Sequence, residues 1–113
     1  MFVCLSRHEG FLVPLLEAWH HRVPVVAFGA TAVPETLGGA GLLLSDASCL
    51  PVAAAVARVL HDRNLADALR AAGLARLEEL SLSRAQARLI EIADGLAAGR
   101  WEPTGLARFA RPA

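Results

Sequence analysis

The sequence predicts an α/β fold: a partial Rossmann-like parallel sheet of about three strands, followed by a helical C-terminal part. Three short apolar runs carry the strand prediction: Phe2–Leu5, Pro24–Phe28 and Gly41–Leu44. Each is too short for a helix, rich in β-branched residues or leucine, and free of period-2 alternation, as expected of strands covered on both faces. Helical segments separate them, which is the order of β-α units.

The helices can be taken in turn. Pro14 is placed at the first helical position, where its fixed φ helps and its missing N–H is no loss, and predicts a helix over 14–21. Trp19 is expected to pack that helix onto the sheet. Pro34 plays the same part for a short helix to Leu37, which Gly38-Gly39 ends. After Asp46 the chain becomes helical. Pro51 opens a helix with Ser48 as cap and with Val52, Val56, Val59 and Leu60 on one face. Asn64 caps the next, turning Leu65, Leu69 and Leu77 to the core. Ser83-Arg84-Ala85-Gln86 has the capping-box pattern and starts a helix with Leu89, Ile92 and Leu96 inward, stopped near Gly99. From Arg100 onward no periodicity remains. The expected organisation is a partial domain over 1–99 and an irregular tail over 100–113, docked by Trp101.

Composition narrows the function classes. The chain has 113 residues, enough for one domain, and its 55% hydrophobic content favours a folded core over disorder. Eleven basic residues balance eleven acidic ones, so nothing suggests a nucleic-acid surface or a strongly basic membrane face. All the cations except histidine are Arg, which leaves no catalytic lysine. Cys4 and Cys49 have no metal-ligand spacing and read as reduced thiols in a cytosolic protein. There is no signal-peptide pattern, and no apolar run approaches the roughly 20 residues that span a bilayer. The expected location is cytoplasmic, with room for a peripheral position at the inner membrane face in a full enzyme.

The run from Glu9 to Glu17 carries the most chemistry. Two carboxylates bracket a glycine, an apolar stretch and a proline, on the loop leaving the first strand and on the helix that follows. Ligands of open parallel sheets bind at such strand ends, where backbone N–H groups are free. An acid at each end of a phosphate-friendly loop suits a ligand rich in both phosphate and hydroxyl groups, and a nucleotide sugar is such a ligand. Other patterns fall away. His8-Glu9-Gly10-Phe11-Leu12 lacks the second histidine of a zincin helix. His20 and His21 point to different helix faces and read as surface residues. Gly39-Ala40-Gly41 enters a strand instead of leaving one, the wrong order for a dinucleotide fingerprint.

Three blocks in register give a specific resemblance. Ser6-Arg7-His8-Glu9-Gly10-Phe11-Leu12-Val13-Pro14-Leu15-Leu16-Glu17-Ala18, then Arg22-Val23-Pro24-Val25-Val26-Ala27, then Val33-Pro34-Glu35-Thr36-Leu37-Gly38-Gly39-Ala40-Gly41-Leu42-Leu43-Leu44, resemble family 4 glycosyltransferases. The close match covers about the first 45 residues. The resemblance implies the GT-B architecture, with this chain as the second half of its C-terminal domain, and a retaining transfer from a nucleotide diphosphate sugar without metal or other cofactor. Glu17 then takes the ribose hydroxyls, where charged hydrogen bonds are worth about 1.5–3 kcal/mol. Glu9, the catalytic candidate, lies near the donor sugar. Gly10, Phe11, Leu12 and Val13 supply backbone donors to the diphosphate. Many family members have Gly-Phe-Gly-Leu-Pro here, and Leu12 stands at the second glycine position. Thr31, in the small-residue loop Gly29-Ala30-Thr31-Ala32, offers a further hydrogen bond to the donor, against the plainer reading of a turn threonine. Glu35 can equally cap its helix or touch ligand.

On this reading the acceptor domain and the basic clamp on the diphosphate lie outside the sequence. The isolated chain is then expected to be inactive, and its first strand to present an edge open to self-association. Two alternatives stand beside it: a non-catalytic nucleotide-sugar-binding or interaction module derived from such an enzyme, and another GT-B enzyme such as a sugar-nucleotide epimerase, which the E-x7-E block of Glu9 and Glu17 with its downstream Pro34-Glu35 segment disfavours.

Overall fold

The structure is a computed structural model that describes residues 1–100. Most of the expected 100–113 tail, with its Trp101 docking, lies outside the described residues. The elements run β1 (Phe2–Cys4), α1 (Pro14–His20), β2 (Val25–Phe28), α2 (Val33–Leu37), β3 (Leu42–Leu44), α3 (Cys49–His61), α4 (Arg63–Glu79) and α5 (Leu82–Ala97). The chain divides into two compact units, Met1–Glu79 and the segment from Leu80 onward.

The first unit is a three-stranded parallel sheet in the order β1-β2-β3, the partial Rossmann-like arrangement that the apolar runs predict. Val3 pairs with Val26, and Ala27 with Leu43. Only the central strand is covered on both faces: Val25, Val26 and Ala27 are fully buried. The expectation of two covered faces fails for β1 and β3, whose middle residues Val3 and Leu43 are exposed. Both are edge strands, with a neighbour on one side only, so their apolar content does not translate into burial.

On one face, Val26 packs with Val59 of α3 and with Ala66 and Leu69 of α4, while Leu42 and Leu44 close the cluster. The second half of α4 serves α1 and α2 instead. Trp19 is almost completely buried, and its Nε1 donates to the Ala40 carbonyl at 3.2 Å. Its ring lies directly against Gly73 of α4, where any Cβ would collide with it. Trp19 therefore joins α1 to α4, beyond the simple helix-on-sheet role that its position predicts. Further along α4, Arg76 donates from Nε to the Thr36 carbonyl at 3.1 Å and from Nη2 to the Glu35 carbonyl at 2.7 Å. These carbonyls belong to the last turn of α2, which has five residues and ends on left-handed Gly38 at φ +54°. A guanidinium fork suits that task because it can satisfy two carbonyls in one plane.

The helix starts differ in detail from the sequence expectation. α3 begins at Cys49, so Pro51 lies within the first turn, where a missing N–H still costs nothing. Asp62, and not Asn64, caps α4: its Oδ1 accepts the Leu65 N–H at 2.9 Å. α5 begins after Ser81 instead of Ser83, and neither makes a side-chain cap; their hydroxyls lie 3.1 Å apart. Within α5 no residue is fully buried, and Leu89 and Leu96 of the expected inward face are exposed. Gly99, at φ +64°, ends that segment as its composition predicts.

Candidate functional site

Three loops leave the C-terminal ends of the parallel strands and place side chains on one end of the sheet. The first runs from Leu5 to Val13, the second from Gly29 to Ala32, the third from Ser45 to Ser48. A parallel sheet puts all such loops on the same side, so Glu9 to Val13 and Thr31 gather there by topology alone, while Glu17 stands on α1.

In the first loop, the Ser6 hydroxyl donates to the His8 carbonyl at 3.2 Å. Leu12 adopts φ +58°, the left-handed conformation that glycine reaches without penalty, and its side chain is buried to 6% exposure. This accounts for a glycine being suited to the position and also for leucine's tolerance there: core burial offsets the backbone cost. The turn lets α1 begin, with Leu15 N–H donating to the Leu12 carbonyl at 3.0 Å and Leu16 N–H to Val13 at 2.9 Å. The N–H groups of Gly10, Phe11, Leu12 and Val13 have no hydrogen-bond partner among the described residues. Phe11 and Val13 are 48% and 56% exposed. A Cβ on Gly10 would meet nothing within 4 Å, so the fold itself does not demand glycine there.

Thr31 joins the second loop to the first. Its hydroxyl donates to the Glu9 carbonyl at 2.6 Å and accepts the Glu9 N–H at 2.9 Å. Its only proton is thereby committed to the protein. Glu9 and Thr31 are thus brought together. Glu17 is exposed on α1 and opens on a separate shallow groove of about 270 Å³, lined by Phe2, Pro14, Ala18, His21 and Val23. No hydrogen bond links the Glu9 and Glu17 carboxylates to each other or to any other described side chain.

The third loop holds residues that sequence reasoning passed over. Asp46 accepts the Ser48 hydroxyl at 2.7 Å and the Ser48 N–H at 2.8 Å. The hydroxyl first, then the N–H, hold the Asp46 carboxyl below its ordinary range, and the charge of Arg7 in the first loop adds to this. The available signal was an Asp-x-Ser pattern directly after a strand, which the assignment of Ser48 as a helix cap obscured. Glu35 makes no side-chain cap to α2; its backbone carbonyl is taken by Arg76.

Elsewhere, His20 and His21 are exposed with their rings edge to face, 5.2 Å between centroids. Cys4 and Cys49 are free thiols. Among the described residues no three His, Cys, Asp or Glu side chains gather as a metal site, and no helix is long and apolar enough to cross a membrane. A cavity of about 400 Å³ opens at the opposite end of the sheet, beside Pro24, His61, Arg63 and Arg70, away from the three loops.

The family model described as glycosyl transferases group 1 matches residues 1–62, more than half of the chain. That span contains all three loops. The chain belongs to the glycosyl transferases of group 1. It is similar to O-antigen chain mannosyltransferase B of Escherichia coli, with 36% identity over 80 residues. The similarity covers 71% of this chain and 21% of that protein, so the chain spans about a fifth of its relative's length.

Proposed function

We propose that this chain forms the donor-binding surface of a retaining, metal-independent glycosyl transferase that takes its sugar from a nucleotide diphosphate sugar. The observation that carries the reading is the run of four unpaired backbone amides, Gly10 to Val13, between two carboxylates and inside the family-matched span. The amides suit the diphosphate. Glu17, exposed on its groove, suits a pair of vicinal ribose hydroxyls, and Glu9 suits the hydroxyls of the donor sugar. The name of the E. coli relative favours a mannosyl donor.

In such a transfer the bond from the anomeric carbon to the diphosphate oxygen breaks with its electron pair. The acceptor hydroxyl oxygen takes its place, and its proton leaves with the nucleoside diphosphate. The loop amides stabilise charge developing on that leaving group through dipoles already in position. The acceptor domain is proposed to be the partner of this surface, and turnover by the 113-residue chain alone is not expected.

The test is calorimetric titration with a nucleoside diphosphate and with the matching nucleotide sugar. Glu17→Ala is expected to weaken both by roughly ten- to a hundredfold, because both contain ribose. Glu9→Gln is expected to spare the nucleoside diphosphate and weaken the nucleotide sugar. Unchanged nucleoside diphosphate binding by Glu17→Ala would reduce Glu17 to a solvated helix acid.

A second reading, an interaction module without catalysis, is favoured by one observation: Met1, Val3 and Leu5 are all exposed, at alternate positions on one face of the outer strand β1. Its test belongs to the behaviour of the whole chain in solution.

A further inference from the structure

Thr31 combines two features that seldom coincide in a surface threonine. Its backbone has φ +48°, a left-handed conformation that a β-branched residue adopts only at a cost. Its hydroxyl is used in both directions by one peptide unit, donating to the Glu9 carbonyl at 2.6 Å and accepting from the Glu9 N–H at 2.9 Å. Twenty-two residues separate the partners, so the contact ties the loop after β2 to the loop after β1. The loop carrying Thr31 is itself held at both ends. Gly29 N–H donates to the Leu44 carbonyl of β3 at 2.9 Å, and Val33 N–H donates to the Ala30 carbonyl at 3.0 Å. Beyond it, Arg76 ties the last turn of α2 to α4. By contrast, apart from the Ser6 bond to His8, the segment 6–11 makes no hydrogen bond to the described residues other than through Thr31.

We infer that Thr31 is a positioning residue: its hydroxyl latches the backbone of Glu9 and fixes where the Glu9 carboxylate and the following amides meet the donor. Thr31 has no proton left to offer a ligand, so its contribution acts through Glu9. This rests on the donor-site reading above. Serine can supply the same hydroxyl, valine keeps the shape and branching without it, and glycine releases the backbone cost but abolishes the latch.

The experiment compares Thr31→Val, Thr31→Ser and Glu9→Gln in the 113-residue chain by amide hydrogen exchange and by titration with GDP and GDP-mannose, used as one probe pair from a panel of nucleoside diphosphates and their sugar conjugates. Thr31→Val is expected to speed exchange at the Glu9 amide by about tenfold, with the Val26 amide in the core unchanged. Thr31→Ser is expected to stay near the parent. Thr31→Val is also expected to weaken GDP-mannose by roughly tenfold while sparing GDP, and to add little on top of Glu9→Gln, since both act through one group. An unchanged Glu9 amide in Thr31→Val overturns the latch whatever the binding result. Fast exchange with parental GDP-mannose binding in Thr31→Val, while Glu9→Gln loses it, overturns the positioning role and leaves the donor site standing. Parental binding in both variants overturns the assignment of Glu9 to the sugar, and the positioning role with it. A parent chain that binds no member of a panel of nucleotide sugars, GDP-mannose included, contradicts the donor-site reading, and the latch is then decided by exchange alone.

Discussion

Gly10 shows how a single position can separate folding from binding. Its φ lies outside the left-handed region and a Cβ there would meet no protein atom within 4 Å. Alanine should therefore leave stability unchanged or raise it by up to about 1 kcal/mol, by narrowing the unfolded ensemble. If the open space beside Gly10 is where phosphate approaches, Gly10→Ala should still weaken nucleoside diphosphate binding by roughly tenfold. Thermal denaturation and calorimetry on the same sample check the two halves together. Loss of stability with intact binding would make Gly10 a folding residue. At this scale the sequence was most legible where residue type and chain order sufficed: the loop position of Glu9 and the helical position of Glu17 both followed from reading a strand before Ser6 and a helix at Pro14. What a hydroxyl would touch was not legible. The Thr31 hydroxyl meets the backbone of Glu9, and no local pattern announces a contact across 22 residues.

Among the elements, α2 depends most on a partner distant in sequence. A helix of five residues is too short to persist by its own hydrogen bonds, and Arg76 from α4 occupies the carbonyls that its last turn leaves open. Arg76→Leu is expected to cost about 1–3 kcal/mol by orphaning those carbonyls, and Arg76→Lys to recover less than half, because an ammonium lacks the planar fork. Chemical denaturation of the three proteins measures this; equal stability of the lysine variant would mean that charge, not geometry, holds α2. The strands and the order of helices were readable because short apolar runs and proline-led segments are local signals. Ser48 stands at the N-cap position of α3 as read, whereas the starts of α4 and α5 were readable only to within two residues. Asp62 and Asn64, or Ser81 and Ser83, are chemically equivalent choices, and the winner is set by where the preceding segment stops. The amphipathic stripe of α5 was also legible, but periodicity forms a helix without burying it, and Leu89 and Leu96 remain exposed.

At the scale of the whole molecule, β1 and β3 flank the sheet among the described residues, and exposed Met1, Val3 and Leu5 stand at alternate positions on one face of β1, beside its unpaired outer backbone. An apolar edge with open hydrogen-bonding groups favours pairing with another chain, so light scattering over a dilution series is expected to show concentration-dependent association. A stable monomer at high concentration would remove the observation that favours an interaction module. On the proposed function, the loop end of the sheet, and not the charged cavity at its other end, receives the nucleotide sugar. Amide chemical-shift mapping during titration with GDP-mannose tests it most directly. The expected result is a set of shifts confined to Glu9–Val13, Glu17 and Thr31, with the amides of His61, Arg63 and Arg70 unmoved. Shifts at the His61–Arg70 cavity with silence in the Glu9 loop would place the nucleotide sugar at the other end of the sheet.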